Sequence, residues 1–262
     1  MQDSAVIATG LRERALAMAA EFDLPVYRVQ GYHPYLLTDP DSLWVVASGA
    51  AAVFDAAVER GLPVGARRFL FTANAGEVLL QVAPKGGIPS SLFVIGIENL
   101  QLVEIPLVLL EQCCAMAGVQ PQELFDGWIS RLAAVLAGNA AVPATVERLN
   151  PGTGLNLESG QTYAPVRGGI LWTRMLRGRA ELQGGAELIW DGDAGVMPLT
   201  DGVWLRALET CELRTEQEAP DDIDVQLQGV LRLHELLRAH LNVRDAADRA
   251  AEQTRLEQRA VE

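Results

Sequence analysis

The chain has 262 residues, enough for one large domain or two smaller ones, each with a sizeable core. Its 49% hydrophobic and 21% charged residues are a globular composition and exclude a disordered chain. With 21 Lys+Arg against 34 Asp+Glu the formal charge is −13, and no Lys/Arg-rich stripe offsets it, so a nucleic-acid partner held on a basic face is excluded.

The first 25 or so residues read as a helix, with Leu11, Ala15, Met18 and Ala19 at helical spacing. From Val26 the pattern turns to short β-like runs: "LWVVAS" (43–48), "AAAVFDAAV" (50–58), "RRFLFTA" (67–73), "GEVLLQV" (76–82), "SLFVIGI" (91–97) and "LQLVEI" (100–105). "SGA" (48–50) predicts a hairpin between the first two, and "APKGGIPSS" (83–91) a loop. From Pro106 the chain reads as helix through "LVLLEQCCAMAG" and "PQELFDGWISRLAAVLAGN", broken at Gly118 and Pro121. "NPGTG" (150–154) opens a second β region, with runs "GGILWTRML" (168–176), "GRAELQG" (178–184), "AELIW" (186–190) and "VWLRALETCELRT" (203–215). After "EAPDD" a final helix carries Leu227, Val230, Leu231, Leu237 and Leu241 on one stripe. Its polar continuation from Arg244 suits a solvated helix, a coiled-coil arm or, preferably, a linker. The expected domains are therefore an N-terminal helix (1–25), a first β module (26–106), a helical connector (107–149), a second and shorter β module (150–217) and a C-terminal helix leading to a linker (218–262).

The two β regions match each other in order. "LWVVASGAA" (43–51) parallels "LWTRMLRGRA" (171–180), "NAGEVL" (74–79) parallels "DAGVMPL" (193–199), and "LFVIGIENLQL" (92–102) parallels "VWLRALETCEL" (203–213). Between the last two elements the second copy is shorter, so it has little room for a ligand loop. The pattern predicts a duplicated, β-barrel-like α+β protein.

Few residues point to chemistry. Cys113, Cys114 and Cys211 have neither disulfide-framework nor zinc spacing and read as buried reduced thiols of a cytoplasmic protein. No secretory signal is visible at the N-terminus, and the longest apolar run, "LQLVEIPLVLL" (100–110), is too short to span a bilayer. His33, His234 and His240 do not converge as a metal site would require, and are read as solvated or core-edge. Cys113 and Cys114 lie in an apolar helix and read as packing, not as nucleophiles. No Walker, nucleophile-elbow, zincin or dinucleotide motif is present, so no enzyme activity and no cofactor is expected. Trp44, Trp172, Trp190 and Trp204 read as strand residues filling barrel interiors or domain seams.

The loop from Gly76 to Ser91 resembles the phosphate cassette of cyclic-nucleotide-binding domains. A phosphate cradle needs free backbone N–H groups, and a guanidinium fork that meets two phosphate oxygens at once. Gly76-Glu77 stands where that family keeps the Gly-Glu that holds the ribose. Its phosphate-binding arginine falls at Ser90, followed by Ser91 where a small hydroxyl residue is usual. Ser90 carries no charge, and Lys85 is the one cation in the loop. The resemblance implies two tandem cyclic-nucleotide-binding-like jelly-roll (double-stranded β-helix) modules, each followed by helices. The first holds a degenerate cassette, in which Glu77 caps backbone N–H groups.

Across residues 28–262 the chain is also similar to the N-terminal region of ABC exporters of NHLM/NHLP-type bacteriocin systems. The likeness is carried by "LWVVASGAAAVFDAAVERGLPVGARRFLFTANAGEVLL" (43–80), "IGIENLQLVEIP" (95–106), "GILWTRMLRGRAEL" (169–182), "MPLTDGVWLRALE" (197–209) and "LQGVLRLHELLRAHL" with its charged extension (227–262). It implies a fragment or a separately encoded accessory module of a peptide exporter, on the cytosolic face of the inner membrane. The partner implied is a leader peptide, a sister transporter subunit or a maturation enzyme, and the last helix leaves a homodimer possible. The alternative is a sensor whose first β module binds a cyclic nucleotide or a related anion.

Overall fold

A computed structural model describes residues 4–31, 33–81, 90–138, 142–166, 169–183, 188–192, 195–200 and 202–261. The chain is α+β and forms two compact units, Met1–Arg131 and Leu132–Glu262.

The first unit opens with helix α1 (Ser4–Glu21), which buries Leu11, Ala15, Met18 and Ala19. Strands β1 (Val26–Val29), β2 (Tyr35–Leu36), β3 (Ser42–Glu59), β4 (Leu62–Asn74), β5 (Val78–Leu80) and β6 (Ser90–Pro106) form one antiparallel sheet in the order β1-β6-β3-β4. β2 adds to β6 and β5 to β3. The hairpin expected at "SGA" does not form. Residues 42–59 make one long strand, and the two runs at 91–97 and 100–105 make another. Gly49 (φ 72°) is the reason. It lies opposite a bulge at Glu98 (φ 54°) and Asn99 (φ 47°), so both strands bend there without ending. Ser48 Oγ secures the bulge by donating to the Asn99 carbonyl at 3.1 Å. Beyond the sheet come a 3-10 turn (Leu107–Leu109), α2 (Leu110–Ala117), capped by left-handed Gly118, and α3 (Pro121–Ala137).

The second unit holds β7 (Glu147–Leu149), β8 (Gly154–Leu157), β9 (Thr162–Pro165), β10 (Ile170–Arg177), β11 (Arg179–Leu182), β12 (Ile189–Asp191), β13 (Val196–Thr200), β14 (Leu205–Ala207) and β15 (Cys211–Thr215). They form two sheets, β13-β10-β15-β8 and β12-β11-β14-β9-β7. β7 starts ahead of the expected boundary at 150 and is, among the described residues, the one parallel addition, beside β9. The run expected as a single strand at 203–215 divides into β14 and β15, one in each sheet.

Strand register shows that the two units repeat. Val26 faces Val103 and Val29 faces Leu100; in the second unit Gly154 faces Arg214 and Leu157 faces Cys211. Tyr35 faces Val94 as Tyr163 faces Leu205, and Ala51 faces Gly96 as Ala180 faces Ala207. Leu43 faces both Ile105 and Leu80, and its counterpart Trp172 faces Pro198 in the matching strand. The two "LW" pairs are therefore offset by one residue, and Gly178 (φ 88°) is the equivalent of Gly49. Where the first unit bends one sheet, the second breaks it into two at Gly178.

Helix α4 (Ile223–Val261) continues through the segment expected as a linker. It packs on β13 at Gly229, where an added Cβ would lie 2.7 Å from the Val196 carbonyl and 2.9 Å from the Trp172 ring. Its stripe buries Val230, Leu233, Leu236, Leu237 and Leu241. His234 belongs to that core too, at 1% exposure, which corrects its reading as a core-edge residue. Burial, with Arg238 nearby, pushes its pKa down to about 3. A folded-state pKa below the unfolded value gives stability that is full above about pH 6.5 and lost as the pH falls toward 3. Urea midpoints of the second unit are expected to drop between pH 7 and 5, and His234→Leu to flatten that dependence.

Trp44, Trp172 and Trp190 are buried strand residues; Trp204, also buried, lies just before β14 rather than within it. Cys113 and Cys114 in α2 and Cys211 in β15 are free and buried, and burial raises all three thiols, Cys114 to about 12. Among the described residues no helix is long and apolar enough to cross a membrane, and no group of three or more His, Cys, Asp or Glu is placed to hold a metal.

Candidate functional site

The Gly76-Glu77 step joins β4 to β5 in a four-residue turn. The Glu77 amide donates to the Asn74 carbonyl at 3.0 Å, and Gly76 takes φ 92°, the third-position geometry that favours glycine. The turn is sewn to β3 by Gly76 N–H to the Val46 carbonyl (2.7 Å) and Val46 N–H to the Glu77 carbonyl (3.0 Å).

The Glu77 carboxylate faces back into its own turn. One oxygen accepts the Asn74 N–H at 2.6 Å, and the other accepts Arg131 Nη2 of α3 at 2.9 Å. The capping role expected for Glu77 is the one it performs, with Arg131 as an added partner. Arg131 was absent from the sequence reading. Its signal was there: a single cation in the apolar run "WISRLAAVLA", three residues after Trp128. Trp128 sets the helix in place by packing edge-on against Phe71 of β4, with centroids 5.3 Å apart at 81°.

Lys85 lies outside the described residues. Ser90 and Ser91 do not belong to a loop, as expected, but to β6, where their backbones face Ala57 and Ala56; their side chains lie outside the described residues. Of the five cassette residues, the structure thus brings Gly76 and Glu77 together and joins them to a residue that was not expected. The second unit keeps the glycine, Gly195 (φ 73°), but Val196 follows it directly in the position of Val78, so Glu77 has no counterpart there.

Arg131→Ala is expected to lower the stability of the first unit by about 1 kcal/mol, since the pair is partly exposed to solvent. Glu77→Ala removes the Asn74 acceptor as well and is expected to cost about 1–2 kcal/mol. A double-mutant cycle by urea unfolding checks both, with additive losses ruling out coupling between the turn and α3.

On the same helix, burial and the neighbouring Glu123 push Asp126 up to about 6. Its folded-state pKa lies above the unfolded value, so the stability contributed by its protonated form is present below about pH 4 and lost as the pH rises through 6. Asp126→Asn is therefore expected to stabilise the protein at pH 7 by roughly 1 kcal/mol, allowing for solvent screening at this half-buried position. The difference should close as the pH is lowered to 4 in parallel thermal melts.

No protein-family signature matches the chain, and no curated protein matches it. Solved structures do overlap it. A CooA mutant from Carboxydothermus hydrogenoformans shares 12% identity, covering 55% of this chain and 92% of its own at a TM-score of 0.37. The regulatory domain of Toxoplasma gondii PKA, crystallised with cAMP, shares 11% identity over 95% of this chain and 99% of its own, at 0.26. A cyclic nucleotide-binding-like protein from Brucella abortus shares 13% over 44% of this chain and 99% of its own, at 0.25.

Proposed function

We infer that the chain is a non-catalytic recognition or regulatory module of a peptide-exporting ABC transporter, in which two cyclic-nucleotide-binding-like β modules dock a leader peptide or a partner subunit. The observation that supports this reading is the occupied Glu77 carboxylate. A ribose-binding acid turns its carboxylate toward a ligand, whereas Glu77 is turned back into its own turn, with each oxygen already accepting one hydrogen bond, from the Asn74 N–H and from Arg131. With the cassette carboxylate used internally and no equivalent in the second unit, the modules serve as rigid scaffolds whose surfaces make contacts with protein. The exporter setting rests on the sequence resemblance across residues 28–262.

A calorimetric and thermal-shift titration with cyclic AMP, cyclic GMP and an NHLP-type leader peptide tests the reading. The expected result is saturable stabilisation by the peptide and none by either nucleotide. A second reading has one observation in its favour: Arg131 brings a guanidinium to the cassette, the charge that Ser90 does not supply. In that case a cyclic nucleotide raises the melting temperature in a concentration-dependent way and Arg131→Ala abolishes the response, which overturns the exporter module in favour of a sensor.

A further inference from the structure

One corner of the first unit differs in kind from its counterpart in the repeat. β1 lies beside β6 as β8 lies beside β15, so Tyr27, Leu102 and Glu104 stand where the second unit has Leu155, Leu213 and Thr215. β3 and β10 add Trp44 and Thr173, which face Glu104 and Thr215 across their sheets. In the second unit the chain itself fills this corner. Thr173 and Thr215 are 0% and 1% exposed, and the Thr215 hydroxyl donates to the Asn150 carbonyl at 2.7 Å and accepts the Thr153 N–H at 2.8 Å.

The first unit keeps the backbone of that arrangement and changes its chemistry. Glu104 N–H donates to the Pro25 carbonyl at 3.0 Å, as Thr215 N–H donates to the Thr153 carbonyl at 2.9 Å. Proline has no N–H, so the donor that Thr153 turns on the side chain opposite is missing at Pro25. In place of a small buried hydroxyl stands a carboxylate that is half-buried and has no ion pair among the described residues.

The groups around Glu104 are aromatic and acidic. The Tyr27 and Tyr35 rings lie 4.8 Å apart, tilted by 45°. Hydrogen bonding to Glu104, then burial, raises the Tyr27 pKa, and burial raises that of Tyr35, so both are neutral phenols beside an acid. Asp39 adds negative potential at Tyr27. Its own oxygens already accept the Asp41 N–H and the Ser42 hydroxyl, so it contributes charge rather than a contact. Tyr27, Tyr35 and Glu104 are each part exposed, whereas Trp44 beside them is buried.

We propose that the notch formed by Tyr27, Tyr35 and Glu104 beside Trp44 binds an organic cation, with a guanidinium favoured over an ammonium. A guanidinium is planar, so it lies on a tyrosine face while its fork meets the carboxylate. The ligand is opposite in charge to a cyclic nucleotide, because Glu104 and Asp39 repel an anion here. A free alkylguanidine and an arginine side chain of a partner carry the same group, so the site does not depend on the exporter reading.

The test is an NMR titration of the full chain with isotope-labelled tyrosine rings, assigned through Tyr27→Phe, Tyr35→Phe and Tyr163→Phe. The probes are butylguanidinium, butylammonium, butyrate and a blocked glycine peptide with one central arginine. Butylguanidinium is expected to shift the Tyr27 and Tyr35 signals saturably. Tyr163, which holds the Tyr35 position in the second unit, should stay unmoved, and butyrate should have no effect. Glu104→Gln should weaken the cation at least tenfold. Tyr27→Leu, which installs the second unit's residue and leaves the carboxylate, should weaken it at least threefold. Thermal melts establish that the variants are folded. No saturable shift with either cation, equal shifts at Tyr163, or binding unchanged by Glu104→Gln each overturns the site. Tighter binding of butylammonium keeps the cation site and overturns the guanidinium preference. Binding of the free cation without the peptide identifies a small-molecule ligand, and binding of both identifies a partner's arginine as a source; either result supports the site. Failure of a leader peptide to bind removes the exporter reading and leaves this site standing.

Discussion

Gly49→Ala is expected to destabilise the first unit by roughly 3 kcal/mol or more, enough to unfold a domain of ordinary stability. A Cβ at Gly49 would sit 2.1 Å from the Glu98 carbonyl oxygen and 3.0 Å from Leu100 Cα, both backbone atoms that no side-chain rotation can move. The residue also holds φ 72°, where an L side chain adds strain. Gly61→Ala is the control. It has a comparable φ, 76°, with open space around the added methyl, so only the conformational cost of about 1 kcal/mol should appear. If urea unfolding gives the two variants equal losses, the bend between β3 and β6 does not depend on close approach. Gly178→Ala should reproduce the Gly49 effect in the second unit, since its Cβ would meet the Thr210 carbonyl at 2.5 Å and Cys211 Cα at 2.8 Å.

Trp128→Ala is expected to cost about 3–5 kcal/mol, the range for removing a large buried aromatic. Trp128 is 2% exposed and is the ring by which α3 meets Phe71 of β4. Its loss also has a functional consequence. Arg131 stands less than one turn further along α3, so a helix that loses its aromatic anchor should also release the Glu77 carboxylate. Trp128→Phe keeps the ring contact and should retain most of the stability. Denaturant midpoints check the energies. Loss of the coupling between Glu77 and Arg131 in the Trp128→Ala background checks the link.

The sequence made the duplication legible because each copy repeats its glycines and strand rhythms, and these are the positions that fix register. Helix ends were legible where local chemistry dictates them, as at Gly118 and Pro121. The bend at Gly49 was not, because "SGA" satisfies a hairpin locally; only the facing bulge at Glu98 and Asn99, some fifty residues away, decides for one continuous strand. His234 failed for a related reason. A polar residue beside an apolar stripe reads as its margin until the packing on β13 sets how wide the buried face is. At the candidate site, Gly76 and Glu77 were found because a turn and its acid are adjacent in the chain. Arg131 was not, because a lone cation in an apolar helical run marks a partner without naming it, and that partner lies 54 residues away. The ring contacts of Phe54 in β3 with Phe93 in β6 and Phe69 in β4 escaped for the same cause, since the three come from separate strands and meet only when the sheet forms.

The three buried thiols have a practical consequence. Cys113 and Cys114 lie in the first unit and Cys211 in the second, each held away from reagent and from the thiolate form that reacts. Labelling therefore requires an opening event, and its rate counts how often each half of the chain visits that open state. Mass-resolved alkylation of the wild-type protein provides two clocks in one tube, one per repeat. Because the thiols are native, the relative lifetimes of the two repeated units can be timed without introducing a probe into either.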